Sequence, residues 1–195
     1  GLTEEKLKNY PAALQSFQKA SELAPKNSDL LVNQATIYFY QKEYESAKSV
    51  LLKAEEINPL EPNLHNLRSM ISFEEKDYSG AVKAVEKAIA LDNRQAYFYN
   101  NHGLYLLYSN QLEEGLALIN QSLAMDSKNP FALRNKGIYY TLTGDKVSAL
   151  SYLEDLAISH PDMELVTEYL AKETKSKQNA MLIYNRKLSV CPITT

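Results

Sequence analysis

Tryptophan is absent from the 195 residues, cysteine occurs once, and glycine and proline number only six and seven. A single cysteine excludes an intramolecular disulfide and a paired-cysteine metal site. So few backbone breakers leave little room for a loop-rich β fold and ample room for helices. No apolar run is long enough to span a bilayer, so no membrane span is expected. Neither sign of charge dominates: 21 basic and 24 acidic residues leave a net −3. That supplies no broad basic field for nucleic acid and no acidic tail. What is present, 45% hydrophobic and 23% charged residues, is the make-up of a folded globular chain, with 14 Tyr and 5 Phe carrying the aromatic content. Length alone predicts one domain or two.

The chain opens on Gly1-Leu2-Thr3 without a basic or apolar leader, so no signal peptide is expected within it. The lone Cys191 leans toward a reducing, cytoplasmic setting, although an exported chain whose signal has been removed would read the same way.

A repeat organises the sequence. Small residues recur every 34 positions at Ala13, Ala47, Ala81, Gly115 and Ala149. Four residues after each stand Phe17, Leu51, Val85, Ile119 and Leu153, and seven after each Ala20, Ala54, Ala88, Ser122 and Leu156. Offsets of four and seven mark one face of a helix. Three residues earlier come Tyr10, Tyr44, Tyr78, Leu112 and Lys146; twelve earlier come Gly1, Ala35, Ser69, Gly103 and Gly137, on a preceding helix. Pro25, Pro59 and Pro161 end the helical run at one shared place, where Asn93 and Ser127 stand in the other two units. Each unit therefore reads as helix, turn, helix, turn. Small residues let two antiparallel backbones approach and larger ones fill the gaps between units, so no unit buries its face alone and the units must stack.

Small residues at the eighth, twentieth and twenty-seventh places, Tyr or apolar residues at the eleventh and seventeenth, and Pro at the thirty-second resemble the tetratricopeptide repeat (TPR) signature. The resemblance implies an all-α fold, a right-handed α-solenoid of tandem 34-residue helix-turn-helix repeats with a C-terminal capping helix. The array is expected over residues 1–163, in units of about 1–27 (partial), 28–61, 62–95, 96–129 and 130–163; residues 164–195 are expected to form the capping helix and an amphipathic tail. Departures from the family pattern fall at the fourth place, with Leu31, His65, Tyr99 and Leu133 for the usual Trp. Others are Ser69 and Ser72 in the third unit, and Lys146 and Leu156 in the fifth.

In residues 164–174, Leu165, Val166, Tyr169 and Leu170 form one stripe, as a cap requires. Residues 178–190 return to helical periodicity through Ala180, Met181, Ile183, Tyr184 and Leu188. That segment reads as a second cap on the last repeat, or as a tether that docks in its own groove or a neighbour's, giving a homo-oligomer.

No catalytic set is expected. His65, His102 and His160 occupy different places of different units and share no ligand spacing, so no metal site follows, and no cofactor motif is present. Cys191, beside Pro192 and without a neighbouring histidine, is no nucleophile by its local sequence.

The resemblance places a concave groove on the first helix of each unit, at the second, fifth, ninth, twelfth and thirteenth places. The expected peptide-binding residues are Phe39, Tyr40, Asn66, Met70, Phe73, Tyr97, Asn100, Leu104, Tyr108, Arg134, Ile138 and Leu142. About half are expected to be partly buried against adjacent first helices. Asn66 and Asn100 share the fifth place and could hold a peptide backbone, as the asparagine ladder of some family members does; Asn33, Asn101 and Asn135, at the sixth, are expected to be structural. The basic clamp that other members use for a carboxylate is missing. These residues predict a non-enzymatic scaffold for a hydrophobic peptide or helix of a partner protein. The alternatives are a self-assembling module or an accessory domain of a larger protein.

Overall fold

The computed structural model describes residues 10–174, and among these there are ten helices and no strand. They are α1 (Tyr10–Leu23), α2 (Ser28–Tyr40), α3 (Tyr44–Ile57), α4 (Pro62–Glu74), α5 (Tyr78–Leu91), α6 (Ala96–Tyr108), α7 (Leu112–Met125), α8 (Pro130–Thr143), α9 (Lys146–Ser159) and α10 (Val166–Thr174). First helices of a repeat (α2, α4, α6, α8) alternate with second helices (α1, α3, α5, α7, α9). The chain falls into two compact units divided within α6, one ending at Tyr105 and the other starting at Leu106. The fold class is an all-α solenoid of helix-turn-helix repeats.

Local chemistry starts and stops several of the helices at the same place of the repeat. Asn27, Glu61 and Asn129 precede α2, α4 and α8, and each side chain accepts a backbone N–H of the first turn, with Pro62 and Pro130 opening α4 and α8. Asp77 and Asp145 cap α5 and α9 in the same way. The turn between the paired helices is the same in four repeats. Lys42, Lys76, Asn110 and Gly144 all adopt positive φ, between 61° and 82°, each one period after the last. The N–H of the following residue reaches back to the carbonyl of Tyr38, Ser72, Leu106 or Tyr140, closing a Schellman motif each time.

Left-handed backbone costs a residue with a Cβ about 1–2 kcal/mol. A Cβ on Gly144 would meet nothing within 4 Å, so φ alone sets the cost there. Gly144→Ala is therefore expected to lower stability by about 1 kcal/mol, and Lys76→Gly to raise it by a smaller amount, since extra chain entropy in the unfolded state offsets part of the relief. Urea denaturation of both variants checks this; two shifts of the same sign would refute it.

In the first unit, Val32, Ala35, Ala47, Leu51, Ala54, Leu64, Leu67 and Ile71 form one buried cluster across α2, α3 and α4. The places that depart from the family pattern are put to use. His65 is buried, and its Nε2 lies 2.8 Å from the Pro59 carbonyl. A carbonyl can only accept, so Nε2 carries the proton, and burial holds the ring's pKa below the ordinary histidine value. In the second unit, Leu156 is buried at a place held by Ala or Ser in the other repeats, while Lys146 is exposed at the start of α9.

Candidate functional site

Charge is sorted between the two kinds of helix in the first unit. Across α2, α4 and α6 the only charged residues are Asp29, Arg68 and Glu74, whereas α3 alone carries Glu45, Lys48, Lys53, Glu55 and Glu56. Arg68 is turned to α3, where it makes two bonds to the Glu55 carboxylate at 3.1 and 2.7 Å, holding that carboxyl below its ordinary pKa. The first-helix face is left with Asp29 and Glu74 as its charges, among apolar, aromatic and uncharged polar side chains.

On that face Tyr40 and Tyr97 are 41% and 38% exposed. Phe39, Met70 and Phe73 are half-buried. Phe39 lies between Tyr40 and Tyr44, with ring centroids 5.6 and 5.8 Å away. One repeat on, Phe73 meets Tyr78 at 5.7 Å and stacks on Tyr105 at 5.0 Å. The Tyr44 hydroxyl donates to Glu74 at 3.4 Å, linking the two aromatic sets. These rings are fixed by one another, so they present area at little cost in rotamer entropy.

The asparagines behave differently from the ladder that the register suggests. Asn66 is 7% exposed and Asn100 is 2% exposed. Asn100 Nδ2 donates to Asn101 Oδ1 at 3.4 Å, Asn101 Nδ2 to Asn66 Oδ1 at 3.0 Å, and Asn66 Nδ2 to the Met70 sulfur at 3.6 Å. They belong to a polar seam between α4 and α6. Tyr97 donates its hydroxyl to Asn63 at 2.7 Å, and Ser69 Oγ lies 3.1 Å from the Tyr105 hydroxyl. The rungs advance by three along α4 (63, 66, 69) and by four along α6 (97, 101, 105), the meshing of ridges that sets helices at a shallow angle. Leu104 is buried as well, so it packs instead of lining an open surface.

In the second unit Leu142 is exposed, Tyr108 is half-buried, and Ile138 and Arg134 are buried. Arg134 donates through Nε to Asn135 Oδ1 at 2.9 Å and through Nη1 to the Glu164 carbonyl at 3.2 Å, with its guanidinium 5.5 Å from the Phe131 ring centroid. Tyr108 accepts a hydrogen bond from Tyr169 at 3.2 Å; burial, then that bond, pushes the Tyr108 hydroxyl well above its ordinary pKa. The guanidinium expected among the peptide-binding residues is thus engaged by the chain's own backbone. Segment 178–190, read as a cap or tether, lies outside the described residues, as does Cys191.

Tetratricopeptide repeat family matches cover residues 6–71 and 100–164. The chain belongs to the tetratricopeptide repeat family. No curated protein matches it in sequence. Among solved structures it is similar to PilW, a widely conserved type IV pilus biogenesis factor, at 20% identity and a TM-score of 0.72 over 96% of this chain and 88% of that one. It is also similar to the thermophilic TPR protein TTC0263 of Thermus thermophilus, at 17% identity and 0.69 over 90% and 92%. YrrB, described as a TPR protein with an unusual peptide-binding site, is similar at 20% identity and a TM-score of 0.57 over 84% of each chain.

TPR arrays act as protein-interaction scaffolds, and that is the coarse role of this chain. Among the described residues no helix is long and apolar enough to cross a membrane, and no group of His, Cys, Asp and Glu is placed to hold a metal ion. The TPR register alone does not reveal Asn63, Ser69 and Tyr105 as partners, whereas Asn101 stands at the sixth place, where a structural role was expected. A signal was present: Ser69 replaces the usual small apolar residue and is fully buried, which obliges its hydroxyl to find a bond.

Proposed function

We propose that the first-helix face of the first unit binds an apolar peptide segment of another protein. The observation that carries this reading is the sorting of charge. Three neighbouring first helices present aromatic and apolar side chains with two carboxylates among them, while the second helices carry the solvating charges. A face that stays apolar while its partners are charged is one whose hydration is relieved by a ligand. Tyr40, Phe39, Phe73, Met70 and Tyr97 supply the contact area. Asn66 and Asn100 support the face from beneath through the seam, and the peptide backbone is met by the exposed Tyr97 and Asn63 pair. The peptide-binding description of YrrB supports the reading by fold alone.

The test is selection of a random peptide library displayed on phage, followed by affinities of the synthetic winners. Phe73→Ala and Tyr97→Ala are each expected to weaken binding by about 30-fold, the loss of one aromatic anchor worth about 2 kcal/mol. Tyr97→Phe keeps the ring and loses the Asn63 bond, so it is expected to cost less than about 5-fold. Winners that bind all three variants like the parent would place the site elsewhere.

A further inference from the structure

The turn that joins repeat 28–61 to repeat 62–95 is fastened by a side chain of the helix that follows it. His65, near the start of α4, reaches back six residues, and its Nε2 lies 2.8 Å from the Pro59 carbonyl. One repeat on, the Tyr99 hydroxyl reaches back by the same six residues and donates to the Asn93 carbonyl at 3.0 Å. Both residues stand at the fourth place and both are buried, whereas Leu31 and Leu133 hold that place elsewhere and have no group to donate. The fastening therefore belongs to these two repeats and not to the fold. Within the first of the two turns, the Leu60 N–H to Asn58 Oδ1 and the Asn63 N–H to Glu61 Oε1, both at 3.1 Å, are exposed bonds that compete with water. The His65 ring, by contrast, is 1% exposed.

Of the two fasteners, only an imidazole changes charge near neutral pH. Nε2 already carries the proton that the carbonyl accepts, so acid adds the second proton at Nδ1 and charges a buried ring. Burial opposes that charge most; the Pro59 carbonyl and Glu55 of α3 relieve it in part, and Lys87 of α5 and Arg68 of α4 add to the opposition. Glu55 is itself engaged by two bonds from Arg68. Besides their tyrosines, the neighbouring first helices α2 and α6 bring Asp29 and His102, with His102 Nε2 3.9 Å from the Glu86 carboxylate. The balance holds the His65 pKa below its ordinary value while the turn is closed. A group depressed in this way disfavours the closed state as pH falls through the ordinary histidine value of about 6.5. The charged ring is solvated only by letting go of Pro59.

We propose that His65 is an acid-sensitive latch: with its ring neutral the turn is closed onto α4, and on protonation the ring leaves its buried place and frees residues 58–64. Asn63, which accepts the Tyr97 hydroxyl at 2.7 Å, lies in that stretch, so release reaches the rim of the aromatic face. The latch itself does not depend on the peptide reading of that face; only a change of peptide affinity with pH would rest on it.

The test is amide hydrogen exchange of the full chain, corrected for intrinsic rates. Amides 66–69 of α4 report release, because their helical acceptors are the carbonyls of residues 62–65. Between about pH 7.5 and about pH 5 their protection is expected to fall by about 5-fold or more relative to that of α8 amides. His65→Tyr, which copies Tyr99, keeps a donor that gains no charge in acid, and its protection is expected to change by less than about 2-fold. His65→Leu, which copies Leu31 and Leu133, is expected to lose the pH dependence as well, and it decides the matter should the tyrosine not fit. An NMR titration of the parent follows the His65 ring directly, and its midpoint is expected below that of an exposed histidine. Protection that does not fall in the parent, an equal fall in the leucine variant, or a ring midpoint at or above the ordinary value overturns the proposal.

Discussion

Replacing Gly137 by valine is expected to destabilise the second unit by about 3 kcal/mol or more, because there is no volume for it. A Cβ built at this position comes 2.8 Å from both Cγ and Cδ2 of Leu153 and 3.2 Å from Cβ of Tyr152. Leu153 is fully buried, and the atoms in the way lie near its backbone, so it cannot swing clear. Helices α8 and α9 would have to separate. Gly137→Ala is the sharper sign test. Helix propensity favours alanine by about 1 kcal/mol, while overpacking costs about 1–3 kcal/mol, so a net loss shows that contact outweighs propensity. Guanidinium denaturation followed by hydrogen exchange of α8 and α9 amides measures both variants. A valine variant with the parent's midpoint would mean that the helices are not in the contact described.

Leu51→Ala is expected to cost about 3–4 kcal/mol, located in the first unit. Leu51 is buried among Val32, Ala35, Ala47, Ala54, Leu64, Leu67 and Ile71, which belong to three helices. Four of the places around the small-residue contacts are already alanine or valine. The surroundings therefore have little side-chain length with which to collapse into the space left, and the cavity contribution adds to the lost transfer energy. Leu52, its exposed neighbour, provides the control: Leu52→Ala is expected to change stability by less than about 0.5 kcal/mol. Urea midpoints that moved equally for the two would contradict the assigned helix face.

The repeat was legible because its causes are short-ranged. Ala47, Ala54, Ala81 and Ala88 show the period directly, and the helix caps at Asn27, Asp77 and Asn129 are ordinary capping residues next to apolar runs. The turn was only half legible. Gly144 and Asn110 advertise a left-handed backbone, whereas Lys42 and Lys76 adopt the same φ without any compositional sign. Their conformation is imposed by the Schellman hydrogen bonds of the turn, which do not depend on the side chain. The binding face was legible as a set of places and not as a set of open residues. Tyr40 and Tyr97 are exposed as their places suggest, while Leu104 and Ile138, on the same stripe, are buried.

The sequence by itself determined the period, the alternation of two helices and the places where backbones touch. Each of these follows from spacing within 34 residues and from the size of single side chains. Only the tertiary structure decided which groove residues stay available. Asn66 and Asn101 meet because α4 and α6 mesh in steps of three and four, so a fifth place bonds a sixth, and equal register no longer means equal surroundings. Tyr108 and Arg134 are engaged because α10 and the residues leading into it return to them from 61 and 30 residues away. Such contacts depend on the rotation between helices and on how far a terminal segment reaches, quantities that accumulate along the chain and are not written at any one position.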